Sequence, residues 1–191
     1  MDIWAPLLNC IRWPDYVQAL KDGEEFWWYT CVYPQEPYPT YLIDDIGISH
    51  RVLSWLQAKH KIQGVLYWSV NIHTKYRNSA YQPGVAVWDE AMMFPNANGD
   101  GFLTYPGKQI GIDGPVSSIR LELIRDGNED VEYVNLLRRL LKKNGCQDLE
   151  KEIGAYIQPV ARTFQDWGRD PKVLEAQRIK LARRILKEMK K

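Results

Sequence analysis

The sequence lacks the features that would assign it at once to a membrane, disulfide-rich or metal-binding class. Its 191 residues contain no run of 18 apolar residues, so we expect no membrane-spanning helix. Cysteine and histidine occur only three times each, at Cys10, Cys31, Cys146, His50, His60 and His73. Three cysteines cannot all pair in internal disulfides, and the wide spacing of the cysteines and histidines is not that of metal ligands. We predict no metal ion and no cofactor, and cysteines that are small buried apolar residues.

The sequence also lacks an excess of either charge, since its formal net charge is +1. Nucleic-acid binding needs a concentrated basic face, so we expect no nucleic-acid partner. The predicted last helix is the basic exception, with Arg178, Lys180, Arg183, Arg184 and Lys187. A solvated face explains these cations better than a nucleic-acid contact, which stays the alternative.

No leader is visible at the N-terminus, which has neither a charged start nor a small-residue cleavage site. Residues 2–8 instead predict a short buried strand that Pro6 ends. Because a domain rarely opens so abruptly, we expect further sequence upstream, and compartment and oligomeric state stay open.

The first 71 residues predict strands at 2–8, 25–33 and 64–71, with helices at about 13–23 and 46–61 between them. Asp44 and Asp45 are predicted to cap the second helix. The third strand is almost continuously apolar, as in a parallel strand covered on both faces. This order predicts an α/β fold with right-handed crossovers.

Regular structure is not predicted between residues 72 and 115, apart from a segment near 84–88. A long segment of this kind is usually functional. Beyond it, the sequence predicts a helix that starts at Ser118, a second helix from about Asn128 to Gly145, and two amphipathic helices over 149–164 and 174–189.

The segment NGDGFLTYPG at 98–107 places one carboxylate, Asp100, between two glycines. Such a loop lets the backbone approach a ligand closely, although Asn-Gly and Asp-Gly also form ordinary hairpin turns. Eight tryptophans and eleven tyrosines accompany it, and these side chains line pockets as well as cores.

Five stretches in this order resemble the C-terminal part of glycoside hydrolase family 123 and its relatives, filed as domain-of-unknown-function family 4091. They are DIWAP at 2–6, EFWWY at 25–29, GVLYW at 64–68, GDGFLTYPG at 99–107, and SIRLE at 118–122 running into RDGNED at 125–130. The resemblance implies a (β/α)8 barrel, which usually needs about 250 residues. Residues 1–127 would then form its C-terminal part, with three strands, and 128–191 a helical extension packed on it.

The resemblance also implies activity on terminal β-linked N-acetylhexosamine, typically N-acetylgalactosamine. In enzymes of this type the acetamido oxygen of the sugar attacks the anomeric carbon, so catalysis is substrate-assisted. An adjacent Asp-Glu pair on an earlier strand orients the acetamido group and serves as acid and base. We expect that pair upstream of this chain. Asp89-Glu90 matches a different segment of the family, and its direct catalytic role is the less favoured alternative.

The candidate substrate-binding residues are Trp68, Asp100, Asn71, Tyr105, Trp28 and Trp4. Trp68 would stack on the flat C–H face of the sugar, or fill a barrel-core layer. Asp100 would grip two sugar hydroxyls, or hold its own loop closed. Asn71 and Tyr105 are secondary hydroxyl contacts, whereas Trp4 and Trp28 are pocket walls or core.

Three functions follow: a glycosidase, whole or partial; a non-catalytic carbohydrate-binding or structural module; and an unrelated α/β enzyme that uses Asp89-Glu90. Arg125, Asp126 and Glu129 are predicted to form a salt-linked helix junction rather than a ligand site.

Overall fold

A computed structural model describes residues 2–77, 80–82 and 86–191. Three parallel strands form one sheet in the order β1-β2-β3: β1 Ile3–Trp4, β2 Glu25–Tyr29 and β3 Gly64–Leu66. Helix α1 (Trp13–Lys21) lies between β1 and β2 in sequence, and α2 (Gly47–His60) between β2 and β3. The predicted α/β fold with parallel strands is confirmed in this form, with shorter strands than expected.

The two faces of the sheet differ in burial. Phe26 and Trp28 lie on one face and are fully buried, and Tyr16 of α1 packs edge-on against Phe26 at 5.1 Å. Trp27 and Tyr29 alternate to the other face, which is only partly covered. The indole of Trp27 lies over Gly64, where a Cβ would be 2.4 Å from the ring.

Two burial predictions are wrong for this chain: the buried strand at residues 2–8, and a third strand covered on both faces. Ile3 and Trp4 of β1 are 53% and 47% exposed, and Leu66 of β3 is 38% exposed. Apolar residues in a strand predict burial only if other elements cover them, and here the edge strand β1 is exposed on both faces, since Ile3 and Trp4 point to opposite sides.

Regular structure is present between residues 72 and 115, contrary to the prediction. Strands β4 (Lys75–Arg77) and β5 (Ala80–Gln82) form an antiparallel pair, as do β6 (Thr104–Pro106) and β7 (Pro115–Ser117). Short 3-10 helices span Leu8–Cys10 and Gly107–Ile110. Strands of three residues are too short for a periodic signal. The segment expected near 84–88 lies partly outside the described residues.

A single helix, α3 (Ile119–Lys143), replaces the two predicted on either side of Gly127. Ser118 begins it as predicted, because the Ser118 Oγ accepts from the backbone N–H of Leu121 at 3.2 Å. Gly127 is a packing site rather than a helix break, since a Cβ there would lie 2.6 Å from Ser54 Oγ of α2. The last helices are α4 (Leu149–Ile157) and α5 (Pro171–Glu188).

Contacts divide the chain into two compact units. The first comprises Met1–Glu36, Thr40–Ile46 and Gln63–Glu122, and therefore every strand that the structure describes; the second comprises Pro37–Pro39, Gly47–Ile62 and Leu123–Lys191. This division falls within α3 and places α2 in the helical unit, so the boundary at residues 127 and 128 stays a prediction. None of the described helices is long and apolar enough to cross a membrane.

A buried carboxylate organises the helical unit. Asp130 of α3 accepts from Arg51 at 2.7 and 3.0 Å, from Trp55 Nε1 at 2.9 Å, and forms an ion pair with Arg178 of α5 at 3.0 Å. Arg184 likewise forms an ion pair with Glu152 of α4. Two cations of the basic last helix are therefore used in ion pairs within this unit.

Gly127→Ala tests whether the glycine is required by packing. We expect a loss of about 1–3 kcal/mol in the free energy of unfolding, because the new methyl group overlaps Ser54. Gly154→Ala in α4 is the matched control: it meets nothing within 4 Å, so better helix propensity should stabilise the chain by about 0.5–1 kcal/mol. Urea unfolding measures both variants, and equal effects would contradict the packing role.

His60 predicts a pH dependence of stability. Its ring stacks on Phe164 at 5.1 Å, and burial, with the charge of Lys59, lowers the pKa of His60 to about 4. Between pH 6.5 and 4 the unfolded chain therefore binds a proton that the folded chain does not, so stability falls as pH falls. Between pH 7 and pH 5 we expect a loss of about 1 kcal/mol, after allowance for partial exposure, that His60→Gln lacks. Identical pH dependence in both proteins would rule out this role.

Candidate functional site

A cavity of about 200 Å³ lies where β2 and β3 end. Its lining residues are Tyr29, Cys31, Val32, Trp68, Phe94 and Asp100. Tyr29 is the last residue of β2, and Trp68 comes two residues after β3. Ligand sites in parallel α/β folds occur at the carboxyl ends of strands, so this is the candidate site.

Trp68 is the most exposed of the aromatic side chains that line the cavity, with 38% of its surface exposed. Its Nε1–H donates to Asp100, at 3.1 Å from Oδ1 and 3.2 Å from Oδ2. Phe94 packs against the indole in an edge arrangement, with ring centroids 5.7 Å apart. The indole therefore has a fixed orientation and an accessible surface, as a stacking platform needs.

Asp100 is only 1% exposed, and its carboxylate is surrounded by donors. The Tyr67 hydroxyl donates to Oδ1 at 3.1 Å, and the backbone N–H groups of Val32 and Gly101 also point at the carboxylate. Burial raises the pKa of Asp100, whereas these donors and Trp68 oppose the rise. With those donors in place, the geometry matches the alternative in which Asp100 holds its own loop.

The two glycines beside Asp100 are required for different reasons. Gly99 and Gly101 have φ of +83° and +77°, a region that other residues rarely adopt. A Cβ at Gly99 would lie 2.5 Å from Arg120 Nη1, and one at Gly101 would lie 2.5 Å from Trp68 Cζ2. The loop therefore touches Arg120 on one side and the Trp68 indole on the other.

Arg120 is a residue of this site that the sequence did not single out. It is 3% exposed, and its guanidinium donates to the carbonyl oxygens of Tyr41 at 2.7 Å, Gly99 at 2.8 Å and Phe102 at 2.6 Å. Burial lowers the pKa of Arg120, and the charge of Asp100 is among the causes that raise it. Arg120 could have been found from the sequence only through its position in SIRLE at 118–122, one of the stretches that carry the family resemblance.

The other predicted site residues do not line the cavity. Asn71 is exposed and pairs through its backbone with Phe102. Tyr105 stacks on Trp88 at 4.5 Å, and Trp4 donates from Nε1 to Glu24 at 2.6 Å. Trp28 matches the alternative of a core residue, because it is completely buried in the sheet.

Tyr29, Cys31, Val32 and Phe94 are lining residues that the sequence analysis missed. Tyr29 does face opposite to Trp28, as strand alternation predicts. Burial raises the pKa of the Tyr29 hydroxyl and of the Cys31 thiol, so both stay protonated near neutral pH. The prediction of buried cysteines is wrong, because Cys10 is exposed and Cys31 and Cys146 are only partly buried.

The remaining acidic candidates have structural contacts away from this cavity. Glu90 forms an ion pair with Lys75, and Asp44 accepts from Asn98 Nδ2 at 2.9 Å. Asp45 accepts from Thr40, so both Asp44 and Asp45 fasten loop segments.

Arg125 pairs with Asp126 and Glu129 within α3, in place of the predicted junction between two helices. Within the described part of the chain, no three His, Cys, Asp or Glu side chains could hold a metal ion together.

Comparison with known proteins assigns the family. The model of the glycoside hydrolase 123 catalytic domain matches residues 7–137, more than half of the chain. The chain belongs to glycoside hydrolase family 123. A search of curated protein sequences gave no match.

A solved structure agrees with this membership at the level of fold. It is a family 123 glycoside hydrolase from Clostridium perfringens, analysed for glycolipid glycan hydrolysis. It superimposes with a TM-score of 0.61 at 17% identity, over 98% of this chain and 32% of its own length. The chain therefore spans about a third of that protein.

Gly101→Ala tests the contact between the loop and Trp68. We expect a loss of about 2–4 kcal/mol in stability, since strain at positive φ adds to overlap with the indole. Gly111→Ala is a matched control with the same φ of +77° and nothing within 4 Å, so strain alone should cost about 1–2 kcal/mol. Urea unfolding compares the two, and equal losses would show that the indole contact carries no energy.

Proposed function

We propose that this chain supplies a sugar-binding wall of a family 123 glycoside hydrolase that cleaves terminal β-linked N-acetylhexosamine, with N-acetylgalactosamine as the substrate to test first. The carrying observation is the oriented, half-exposed Trp68 at the carboxyl ends of two parallel strands. A pyranose has a flat C–H face that packs on such an indole, and stacking of this kind is favourable when the ring is already in place.

The cavity supports a monosaccharide in chemical terms as well. Around Trp68 lie apolar surfaces from Val32 and Phe94, and the lining residues that carry polar groups are Cys31, Asp100 and Tyr29 with its hydroxyl. Because its pKa is raised, that hydroxyl is protonated near neutral pH and can donate to a sugar oxygen. Orientation by a few polar groups on an apolar surface is the usual design of small-ligand sites.

We further infer that β1, β2 and β3 are consecutive strands of a (β/α)8 barrel. Their parallel order and the one-sided burial of β2 support this arrangement. The covered face carries Phe26 and Trp28, as a face toward helices would, and the open face carries Trp27 and Tyr29, as a face toward a barrel interior would.

The proposed chemistry is substrate-assisted retention of configuration, in which the acetamido oxygen forms the first bond to the anomeric carbon. The acid-base pair is proposed to lie outside the residues of this chain. Two facts support that: the chain spans 32% of the family 123 structure, and Asp100, the acidic side chain that lines the cavity, is engaged by neighbouring donors. Within the reaction, the role of this chain is to bind and orient the sugar.

A non-catalytic carbohydrate-binding module is the second candidate. The commitment of Asp100 to internal hydrogen bonds favours it, since a wall without an available carboxylate can bind a sugar and leave its bonds intact. Sugar binding is common to both functions, so turnover by the full-length protein separates them.

The first experiment is a tryptophan-fluorescence titration of this chain with N-acetylgalactosamine, with glucose as the control sugar. We expect saturation with the hexosamine only, and an affinity about tenfold weaker for Trp68→Ala. Trp13→Ala is the matched control, because Trp13 is 39% exposed and does not line the cavity. A folded chain that shows no saturable change would overturn the preformed sugar wall.

A chromogenic β-N-acetylgalactosaminide tests where the chemistry resides. We expect no turnover by this chain alone, because the proposed acid-base pair lies outside it. Turnover that Asp89→Asn and Glu90→Gln each abolish would assign catalysis to Asp89-Glu90 instead. Full-length protein that binds the hexosamine but never cleaves it would favour the binding module.

A further inference from the structure

We propose that Asp100 and Arg120 are positioning residues that hold the Trp68 indole in its stacking orientation, and that Asp100 is not a sugar ligand. The inference rests on the proposed function, because it assigns a role to residues that support the proposed sugar platform. It differs from a grip on sugar hydroxyls by Asp100, since it requires no contact between Asp100 and the substrate.

The indole is held at two edges by neighbouring residues of one loop. Asp100 accepts from Nε1, while the backbone of Gly101 lies against Cζ2 so closely that no side chain fits between them. Phe94 adds an edge contact to the ring. A side chain with two rotatable torsions that is fixed in this way keeps one orientation before any ligand arrives.

The Tyr67 hydroxyl connects the carboxylate with the loop backbone. It donates to Asp100 Oδ1 at 3.1 Å and accepts the N–H of Gly101 at 3.1 Å. Burial raises the pKa of Tyr67, so the hydroxyl keeps the proton that it donates to Asp100. The Asp100 carboxylate, which accepts from Trp68, is therefore itself held in place by Tyr67.

Arg120 fixes the same loop from its opposite side. Its guanidinium donates to the carbonyl oxygens of Gly99 and Phe102, which flank the Asp100-Gly101 segment, and to Tyr41 O. The guanidinium carbon also lies 4.9 Å from the centroid of the Phe102 ring. These contacts fix the position of the loop without any contribution from Trp68. The hydrogen bond from the indole to Asp100 then fixes the orientation of Trp68 relative to the loop.

Preorganisation has a measurable consequence for binding. A ring that is already oriented loses little freedom when a sugar stacks on it, whereas a released ring must be ordered first. We expect Asp100→Asn to weaken N-acetylgalactosamine binding about threefold to tenfold. A direct hydrogen bond from a sugar hydroxyl to the Asp100 carboxylate would make the loss roughly 10-fold to 150-fold.

The first test reads the Trp68 indole directly, without any sugar. A ¹H–¹⁵N spectrum of this chain shows the tryptophan Nε1–H signals, and Trp68→Phe assigns the signal of Trp68 among the eight tryptophans. We expect Asp100→Asn to shift that signal, to speed its exchange with solvent, and to leave the others in place. Asp113→Asn, which changes an exposed carboxylate outside the cavity lining, should change none of them. An unchanged Trp68 signal in Asp100→Asn would overturn the proposal.

Tyr67→Phe keeps the proposal testable if Asp100→Asn fails to fold. It removes one donor to Asp100 and the acceptor of the Gly101 N–H, so the Trp68 signal should shift in the same sense with a smaller loss of affinity. Arg120→Lys should likewise move the Trp68 signal, because one ammonium cannot donate to three carbonyls in the fork geometry of a guanidinium. Trp68 signals unchanged in both variants would contradict the positioning role.

The sugar titration then distinguishes a failure of the proposed sugar-binding function from a failure of the positioning role of Asp100. If wild-type chain binds no hexosamine while the Trp68 signal responds to Asp100→Asn, the proposed function fails and the positioning of the indole stands. If wild-type chain binds and folded Asp100→Asn binds equally well, the proposed function stands and the positioning role fails. A loss far above tenfold in Asp100→Asn would instead make Asp100 a sugar ligand.

Discussion

A carboxylate that leaves water must find donors, and Asp100 finds them in the side chains of Tyr67 and Trp68 and in two backbone N–H groups. The need to supply these donors constrains the glycine loop, Arg120 and Trp68. The backbone can approach closely enough only with glycines on both sides of Asp100, and Arg120 must then satisfy the carbonyl oxygens that the turn exposes. One buried charge thereby links the glycine loop, helix α3 and the exposed indole.

The parallel sheet places this arrangement where a ligand can reach it. Both β2 and β3 end at the same edge, so Tyr29 and Trp68 meet at the cavity although about forty residues separate them in sequence. On β2, Phe26 and Trp28 are buried whereas Trp27 and Tyr29 are only partly covered, so its aromatic residues divide into a core set and an accessible set. Burial, not residue type, decides which tryptophans can contact a ligand.

Much of the fold followed from periodicity and from punctuation by glycine and proline. The parallel strands, α1, α2 and the last two helices lie close to their predicted positions. Gly127 was wrongly predicted to separate two helices, because its role depends on tertiary contacts. The missing side chain lets α3 approach Ser54, and no local sequence pattern indicates that contact. The hairpins between residues 72 and 115 escaped notice because three-residue strands depend on their partners rather than on their own periodicity.

The sequence alone determined the α/β class with parallel strands and the family, because local propensity, chain order and motif order are properties of the linear chain. Tertiary structure decided the site. It buried Trp28, exposed part of Trp68, turned Asp100 inward and brought in Arg120, Tyr29 and Phe94. The physical reason is that burial and hydrogen-bond partnership depend on neighbours distant in sequence, and those neighbours are fixed only when the strands and the loop pack together.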